Sequence, residues 1–400
     1  MSAQKLIYLD NNATTKVDEK VYEKMLPYFC EKYANPSSMY TFATEASYAL
    51  KSSREQMMDF LGAEDPNEIY FTASGSECAN TAIRGILAAD ESKKHIITTK
   101  VEHPCVLNVY KYLEKQHYDV TYLSVNSYGE LDLDELKSAV KENTALVSCM
   151  MANNETGVIY PVEKIAEIVK SINPETKVYV DAVQGAGKIP INVKDTKIDM
   201  LGVSGHKFHA PKGIGALYAR KSTMFMPLVI GGHQERGRRA GTENVPYIVG
   251  MAEAARLAKE NLDYEATHVK YLRDKLENAI LKNVFNSRLN SSVNNRVPNT
   301  SNIGFEYIEG ELILLHLSDY GICASSGSAC TSGSLDASHV LKAMGIPFTA
   351  LHGSVRFSLS RFNTEEEIDY VIDVLPKVID KITKLSPFQS ELKALKEKKM

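Results

Sequence analysis

The chain has 400 residues, of which 44% are hydrophobic and 24% are charged, proportions typical of a folded globular protein. Its 46 basic residues against 50 acidic ones give a formal net charge of −4, which argues against broad nucleic-acid binding. No apolar run approaches the roughly 20 residues of a membrane helix, and residues 1–10 lack the apolar stretch of a secretory signal, so we expect a cytoplasmic protein with reduced thiols and no membrane partner.

From about residue 22 to residue 281, short apolar segments alternate with amphipathic ones. Seven apolar segments are predicted as strands: Glu68–Thr72, His95–Thr98, Val120–Leu123, Ala145–Met150, Lys177–Asp181, Met200–Val203 and Ala216–Ala219. Segments of helix length lie between them: Cys78–Ala89, Val106–Gln116, Leu133–Val140 and Val162–Ser171. This alternation predicts an α/β fold whose large domain holds a mostly parallel seven-stranded sheet with covered faces.

The rest of the chain has a pattern typical of a smaller α+β domain. A long helical stretch is predicted over Val245–Leu281, and the Asn- and Ser-rich segment Asn286–Asn302 is predicted as a loop. Strand, helix, strand and helix then follow at Asn302–Phe305, Gly310–Leu317, Val355–Leu359 and from Thr364 onward. With a boundary near residue 265, the large domain comprises residues 18–265 and the small domain residues 1–17 and 266–400.

Polar residues just after the strands are candidates for a site, because ligands of such sheets bind beyond the carboxyl ends of the strands. Asp181 and Gln184 follow one strand, and Ser204-Gly-His-Lys207 follows the next. An isolated acid and lysine here would form a structural ion pair. Pyridoxal phosphate, however, needs such a pair: a lysine for the Schiff base and an acid that keeps the pyridine nitrogen protonated.

Other strand ends supply groups that suit the same cofactor. Gly75-Ser76 precedes a helix and offers backbone N–H groups to a phosphate, and Ser204 and His206 add donors from the lysine loop. His103 is either a helix cap or the group that stacks on the cofactor ring and handles protons, and we favour the second. Asn154 is either part of a turn or an amide that bonds the ring oxygen.

The chain resembles the class V group of fold-type I pyridoxal-phosphate enzymes, and within it the NifS/IscS-type cysteine desulfurases. The resemblance runs from Tyr8-Leu-Asp-Asn-Asn-Ala-Thr-Thr15 to Arg356-Phe-Ser-Leu-Ser-Arg-Phe362. The lysine loop with Pro211-Lys-Gly-Ile-Gly215 after it is similar to the family's signature. The segment Gln234-Glu-Arg-Gly-Arg-Arg-Ala-Gly-Thr-Glu-Asn244 is similar to it too.

The resemblance implies a role for each of these residues. Lys207 carries pyridoxal phosphate, Asp181 meets the ring nitrogen, and His103 stacks on the ring. Gln184 and Asn154 approach the phenolic oxygen. The phosphate is implied to bind Gly75, Ser76, Ser204, His206 and Thr242. Thr242 reaches over from a second subunit, which implies a homodimer with shared active sites.

One of the six cysteines, Cys330, is surrounded by small polar residues in Ser325-Ser-Gly-Ser-Ala-Cys-Thr-Ser-Gly-Ser334. Cys149, in contrast, lies in an apolar strand, as structural cysteines usually do. We expect the Cys330 thiol to be exposed and mobile, as a sulfur carrier must be. The resemblance implies that a loop of about residues 323–336 bears this catalytic cysteine. It also implies that the sulfur passes to an iron–sulfur cluster scaffold, on whose cluster Cys330 is a transient ligand, with no resident metal site.

The predicted reaction takes sulfur from L-cysteine and gives L-alanine and a Cys330 persulfide, with Lys207 as the base for the α-proton. Arg356 is either a surface ion pair or the clamp for the substrate carboxylate, and its match to the family's Arg-Phe-Ser-Leu favours the clamp. Asn35 is a second candidate for that carboxylate. The alternatives left open are a selenocysteine lyase, another class V aminotransferase or lyase, and a cofactor-free scaffold.

Overall fold

The computed structural model describes residues 6–326 and 337–399. The strands in chain order are β1 Ile7–Tyr8, β2 Ile69–Thr72, β3 His95–Thr99, β4 Asp119–Leu123, β5 Thr144–Met150, β6 Lys177–Asp181, β7 Met200–Ser204, β8 Gly215–Ala219, β9 Ser287–Leu289, β10 Thr300–Phe305, β11 Ile322–Cys323, β12 Ser325–Ser326 and β13 Ser354–Ser358. The α-helices are α1 Glu19–Met25, α2 Pro27–Cys30, α3 Thr44–Leu61, α4 Gly75–Ala89, α5 Pro104–Glu114, α6 Leu133–Ala139, α7 Val162–Ile172, α8 Val245–Glu260, α9 Leu262–Tyr264, α10 Lys270–Asn283, α11 Gly310–Asp319, α12 His339–Ala343, α13 Phe348–Leu351, α14 Glu365–Leu385 and α15 Gln389–Lys399. Within the described ranges, no helix is both long and apolar enough to cross a bilayer.

A seven-stranded sheet forms the centre of the larger part of the molecule, in the order β2-β8-β7-β6-β5-β3-β4. Neighbouring strands from β7 to β4 are parallel, whereas β8 runs antiparallel to both β2 and β7. All seven segments predicted as strands lie in this sheet, which confirms the α/β fold with a mostly parallel sheet. The strands are apolar because helices cover both faces; β5 is buried at every position.

Local capping signals begin two helices at the edge where the strands end. Helix α4 starts after Ser74, whose hydroxyl accepts a hydrogen bond from the Glu77 N–H. Helix α5 starts at Pro104, a residue favoured in the first turn, with His103 as its N-cap. Each helix follows a strand of the sheet within five residues. The N-termini of both helices therefore face the carboxyl edge of the sheet.

A second hydrophobic core is built by residues 7–9 and 269–382. It packs around the sheet β12-β13-β10-β9, and the N-terminal strand β1 joins this part through parallel pairing with β11. Residues 340–351 are an exception within this part of the chain, because their apolar side chains pack into the core of the central sheet and not into the second core. The two cores support the division into residues 18–265 and residues 1–17 plus 266–400, which remains a proposal.

Two predicted segments differ from the structure in detail. The loop predicted over Asn286–Asn302 is wrong in part, because Ser287–Leu289 forms β9 and pairs antiparallel with β10. Most polar residues of this segment are buried, and Asn290 Nδ2 donates to Asn302 Oδ1 at 3.0 Å. The helical stretch predicted over Val245–Leu281 is present, but a π-helical turn at Glu265–Val269 interrupts it.

Candidate active site

The carboxyl ends of β5, β6 and β7 open onto a cavity of about 410 Å³. Such an edge is where open α/β sheets bind ligands. Ten predicted site residues line this cavity: Gly75, Ser76, His103, Asn154, Asp181, Gln184, Ser204, His206, Lys207 and Arg356. Asn35 and Thr242 are exposed and do not line it. Cys330 lies outside the described residues.

Lys207 ends a short 3₁₀ turn that directly follows β7. Its Nζ donates to the backbone oxygens of Asn12 at 2.6 Å and Ala13 at 2.8 Å. The same N-terminal segment is held against the lysine loop by the Thr15 N–H, which donates to the His206 carbonyl at 3.0 Å. The amine is thus fixed at the cavity wall by a segment that is remote in sequence.

Asp181 is the last residue of β6 and is buried. Its Oδ1 accepts a hydrogen bond from the Val183 N–H at 3.0 Å, and the Cys105 thiol lies 3.9 Å from its Oδ2. Burial raises the pKa of Asp181 to about 6, although the Val183 hydrogen bond and the charge of Lys207 act in the opposite direction. Burial destabilises the ionised form of a carboxyl group, so a cationic partner stabilises a buried carboxylate more than an exposed one. Asp181 is therefore suited to pair with a protonated ring nitrogen.

The two histidines at the cavity are neutral at ordinary pH. His103 Nδ1 accepts a hydrogen bond from the Cys105 N–H at 3.1 Å, so the helix-cap interpretation is confirmed, and the ring also lines the cavity. Burial lowers the pKa of His103 to about 4, and the charge of Lys207 adds to the effect. His206, whose Nδ1 lies 3.1 Å from Thr14 Oγ1, has its pKa lowered by burial to about 4 as well.

One end of the cavity is formed by the N-terminus of α4. The first N–H groups of a helix have no acceptor within the helix, and Ser74 caps only that of Glu77. A Cβ added at Gly75 would lie 2.8 Å from Val183 Cγ2 and 3.4 Å from Ser204 Cβ. Glycine therefore lets the helix start approach the lysine loop closely, which brings helix N–H groups and serine hydroxyls together as an anion site requires.

Arg356 reaches the cavity from β13, the middle of the smaller sheet. It is only 3% exposed, so a surface ion pair is the wrong description of it. Its Nη2 pairs with Asp10 Oδ1 at 2.7 Å, and its Nη1 donates to the Asn154 carbonyl at 2.8 Å. Within the described part of the chain, its buried Nε has no hydrogen-bond partner.

The chain matches one protein family over most of its length. The family Aminotransferase class-V matches residues 7–371. A cysteine desulfurase of Nostoc sp. is 57% identical over 386 residues, 96% of each chain. The cysteine desulfurase NifS of Azotobacter vinelandii is 50% identical over 384 residues, 96% of this chain and 95% of that protein. The chain belongs to the class-V aminotransferase family, among its cysteine desulfurases.

The fold agrees with this membership. A solved NifS-like protein is 40% identical and superposes with a TM-score of 0.89, covering 94% of this chain and all of that one. The resemblance to NifS/IscS-type enzymes and the fold-type I architecture predicted from the sequence are therefore confirmed.

Class-V enzymes use pyridoxal phosphate, and the cavity of this chain fits that cofactor. The close approach at Gly75 leaves helix N–H groups and hydroxyls for a phosphate. A buried carboxylate, Asp181, and an amine, Lys207, line the same cavity, as the ring nitrogen and the aldehyde require. The residues present thus suit the phosphate, the ring nitrogen and the aldehyde of the cofactor.

Sequence reasoning missed several residues of this site. Asp10, Asn12 and Ala13 contact Arg356 and Lys207, yet they were quoted only as part of a motif and given no role. Cys105, whose thiol lies beside Asp181, is a further residue of the site to which the sequence pattern assigned no role. Its position two residues after His103, in the first turn of a helix that starts at the strand edge, was the signal that could have found it. Lys188 was missed as well.

Proposed function

We propose that this chain is a pyridoxal-phosphate-dependent cysteine desulfurase that converts L-cysteine to L-alanine and keeps the sulfur as a persulfide on Cys330. The convergence of Lys207, Asp181 and Arg356 on one cavity carries the proposal, because it supplies attachment, ring charge and substrate binding at one place. The identity to cysteine desulfurases over 96% of the chain supports the choice of substrate.

When bound, pyridoxal phosphate supplies an electron sink for charge that develops at the substrate's α-carbon. Lys207 holds the cofactor, takes the α-proton and returns a proton to the α-carbon when alanine forms. The guanidinium of Arg356, which lines the cavity, binds the substrate carboxylate and so fixes the orientation of the α-carbon. The Cys330 thiolate attacks the substrate sulfur: the Cβ–S bond breaks, an S–S bond forms and the substrate's thiol proton ends on Cβ, so cysteine plus thiolate gives alanine plus persulfide.

The remaining residues are assigned to binding. Gln184 and Asn154 face the cofactor's phenolic oxygen, and the phosphate is bound by Gly75, Ser76, Ser204, His206 and, from a second subunit, Thr242. The exposure of Thr242 in its own chain is compatible with a contact across a homodimer. Asn35 is the weakest assignment, since its Oδ1 accepts a hydrogen bond from the Ser37 N–H and it does not line the cavity.

The proposed acceptor of the sulfur is a cytoplasmic scaffold protein for iron–sulfur clusters, with Cys330 as a transient ligand of the scaffold's cluster. Transfer of labelled sulfur from the persulfide to such a scaffold measures this step directly. A persulfide that stays on the enzyme in the presence of the scaffold would contradict it.

The test of the reaction is a sulfur-labelling experiment with Cys330→Ala. We expect the variant to bind the cofactor but to lose both alanine formation and the protein-bound label. Cys105→Ala is the matched control, because it removes a thiol that lines the same cavity. Burial raises the pKa of Cys105, so it stays protonated and unreactive, and its variant keeps the label on Cys330.

Two results would contradict the proposal. Retained turnover of Cys330→Ala on L-cysteine would indicate another class-V aminotransferase or lyase. A rate on selenocysteine that far exceeds the rate on cysteine would indicate a selenocysteine lyase.

A further inference from the structure

Lys188 is a buried lysine behind the active site that the proposed reaction does not use. It lies four residues after Gln184, and it is 7% exposed. Its Nζ donates to Gln184 Oε1 at 2.6 Å and to Asn12 Oδ1 at 3.0 Å. Both acceptors are neutral amide oxygens. An ammonium with neutral partners inside a protein carries a desolvation penalty, so its presence needs a reason.

The first consequence of Lys188 concerns the side-chain amide of Gln184, which lines the cavity. A lysine donates hydrogen bonds and accepts none, so the oxygen of the amide must face Lys188. The amide nitrogen then faces the other way, and it donates to the Asn12 carbonyl at 2.9 Å. An NH₂ group has two protons, and within the described part of the chain only the Asn12 carbonyl accepts from it, so the second proton is available to a ligand in the cavity. Lys188 thereby decides that Gln184 presents a donor and not an acceptor.

The second consequence concerns charge, because the amines of Lys188 and Lys207 both donate hydrogen bonds to Asn12. Lys207 bonds its backbone oxygen, and Lys188 bonds its side-chain oxygen. Two ammonium groups on one residue each disfavour the charge of the other. Burial lowers the pKa of Lys188 to about 7, and the charge of Lys207 is the next cause.

A nearby acidic residue, Glu265, partly offsets the repulsion between the charges of Lys188 and Lys207. The side chains of Lys188, Lys207 and Glu265 line one small cavity. Burial raises the pKa of Glu265 to about 7, while Lys188 lowers it. The charge of Arg356 also lowers the pKa of Lys188, and two further groups line the same small cavity, His209 and Arg361. Arg356 and Arg361 are paired with Asp10 and Asp18, so Glu265, on the π-helical turn, is the acidic group that acts on Lys188 when it is ionised.

We propose that Lys188 is a positioning residue of the active site, which orients the Gln184 amide towards the cofactor and places a second positive charge beside Lys207 that favours its deprotonated form. This inference rests on the proposed function, since it assigns a role around the cofactor-bearing lysine. If Lys188 were purely structural, its hydrogen bonds would only hold residues 10–15 against residues 184–188, with no effect on Lys207.

The test is a pH titration of the visible absorption of the cofactor bound at Lys207, in the purified holoenzyme. Lys188→Met removes the charge and keeps most of the side-chain volume. We expect the midpoint of the absorption change to move to higher pH by up to about one unit, because removal of a nearby positive charge favours the protonated form; the shift is largest where the midpoint lies below about 7, the pKa of Lys188, since Lys188 is still charged there. Lys188→Arg keeps the charge and is expected to restore a midpoint close to that of the wild type.

The matched control is Lys170→Met. Lys170 is also a largely buried lysine, but it pairs with Asp199 at 2.8 Å outside the cavity. Its loss destabilises the protein and leaves the midpoint where it was. If Lys188→Met behaves in the same way, with lower stability and an unchanged midpoint, Lys188 is structural and the inference is overturned.

Glu265→Gln keeps the inference testable if Lys188→Met does not fold. Removing this negative charge leaves the positive charges of Lys188 and Lys207 less compensated, so the midpoint of the absorption change is expected to fall to lower pH. An unchanged or higher midpoint would contradict the inference. Failure of the proposed function has a different signature, because a wild-type protein that binds no pyridoxal phosphate shows no visible band to titrate.

Discussion

Replacing Asp181 by asparagine is expected to stabilise the protein stripped of its cofactor, while it impairs the enzyme. Asp181 is 6% exposed, and burial raises its pKa from 3.8 to about 6. An acid whose pKa is higher in the folded state than in the unfolded state destabilises the fold when it ionises. The loss of stability is absent below pH 3.8, grows as the pH rises towards 6, and is constant above that.

The size of the effect follows from the two pKa values. A shift from 3.8 to about 6 corresponds to about 3 kcal/mol at pH 8, and roughly half of this is already present at pH 5. Asparagine has nearly the same shape and keeps an oxygen for the Val183 N–H, so the variant removes the charge and little else. Asp181→Asn should therefore raise the unfolding free energy of the cofactor-free protein by about 3 kcal/mol at pH 8.

Urea unfolding at pH 5 and pH 8 measures this difference. Asp199→Asn is the matched control, because Asp199 is 4% exposed but pairs with Lys170. Its variant removes the anionic partner of the partly buried Lys170 ammonium, which keeps hydrogen bonds to the Pro174 and Thr176 carbonyls, and is expected to be less stable than the wild type. In the holoenzyme, Asp181→Asn should lose roughly 100-fold or more in turnover. An Asp181→Asn variant that is no more stable than the wild type at pH 8 would refute the reasoning.

Three further predictions concern other groups. Arg356→Lys keeps the charge but loses the planar guanidinium, so the KM for L-cysteine should rise by roughly 10-fold or more; steady-state kinetics that show an unchanged KM would contradict the clamp. Because its pKa is lowered to about 4, His103 should remain neutral in nitrogen NMR spectra down to about pH 5, and a midpoint near 6.5 would contradict this. Glu277→Gln breaks a buried bidentate pair with Arg296 and should lower the unfolding free energy by about 3 kcal/mol, whereas the exposed Asp373→Asn should have little effect in the same urea experiment.

The central sheet was predictable because most of its strands are buried on both faces. Burial on two sides demands continuous apolar runs, and these are visible in sequence without knowledge of the partners. Lys177–Asp181 was predicted with the bounds that the structure has, and the other six strands differ by at most one residue at either end. The place of the site was predictable for a related reason: in a mostly parallel sheet the polar residues after the strands meet at one edge.

The contacts that complete the site were not predictable in this way. Lys207 bonds the carbonyl of Asn12, which lies 195 residues away, and a backbone acceptor leaves no mark on the side-chain pattern. The segment Asn286–Asn302 was misread because buried asparagines that bond each other have the composition of an exposed loop. Lys188 stands among small and apolar residues, and sequence alone does not distinguish a buried lysine there from a solvated one.

The N-terminal segment explains why the site needs both parts of the molecule. Asn12 accepts hydrogen bonds from Lys207 and Lys188, and its Nδ2 donates to Thr300 of the smaller sheet at 2.8 Å. Asp10 of the same segment holds Arg356. The cofactor-bearing lysine and the proposed substrate clamp are therefore connected through four consecutive residues, 10–13, and not through the sheet edge alone. Since any ligand that binds only this arrangement stabilises it by mass action, occupancy of the cavity and docking of the two parts must reinforce each other.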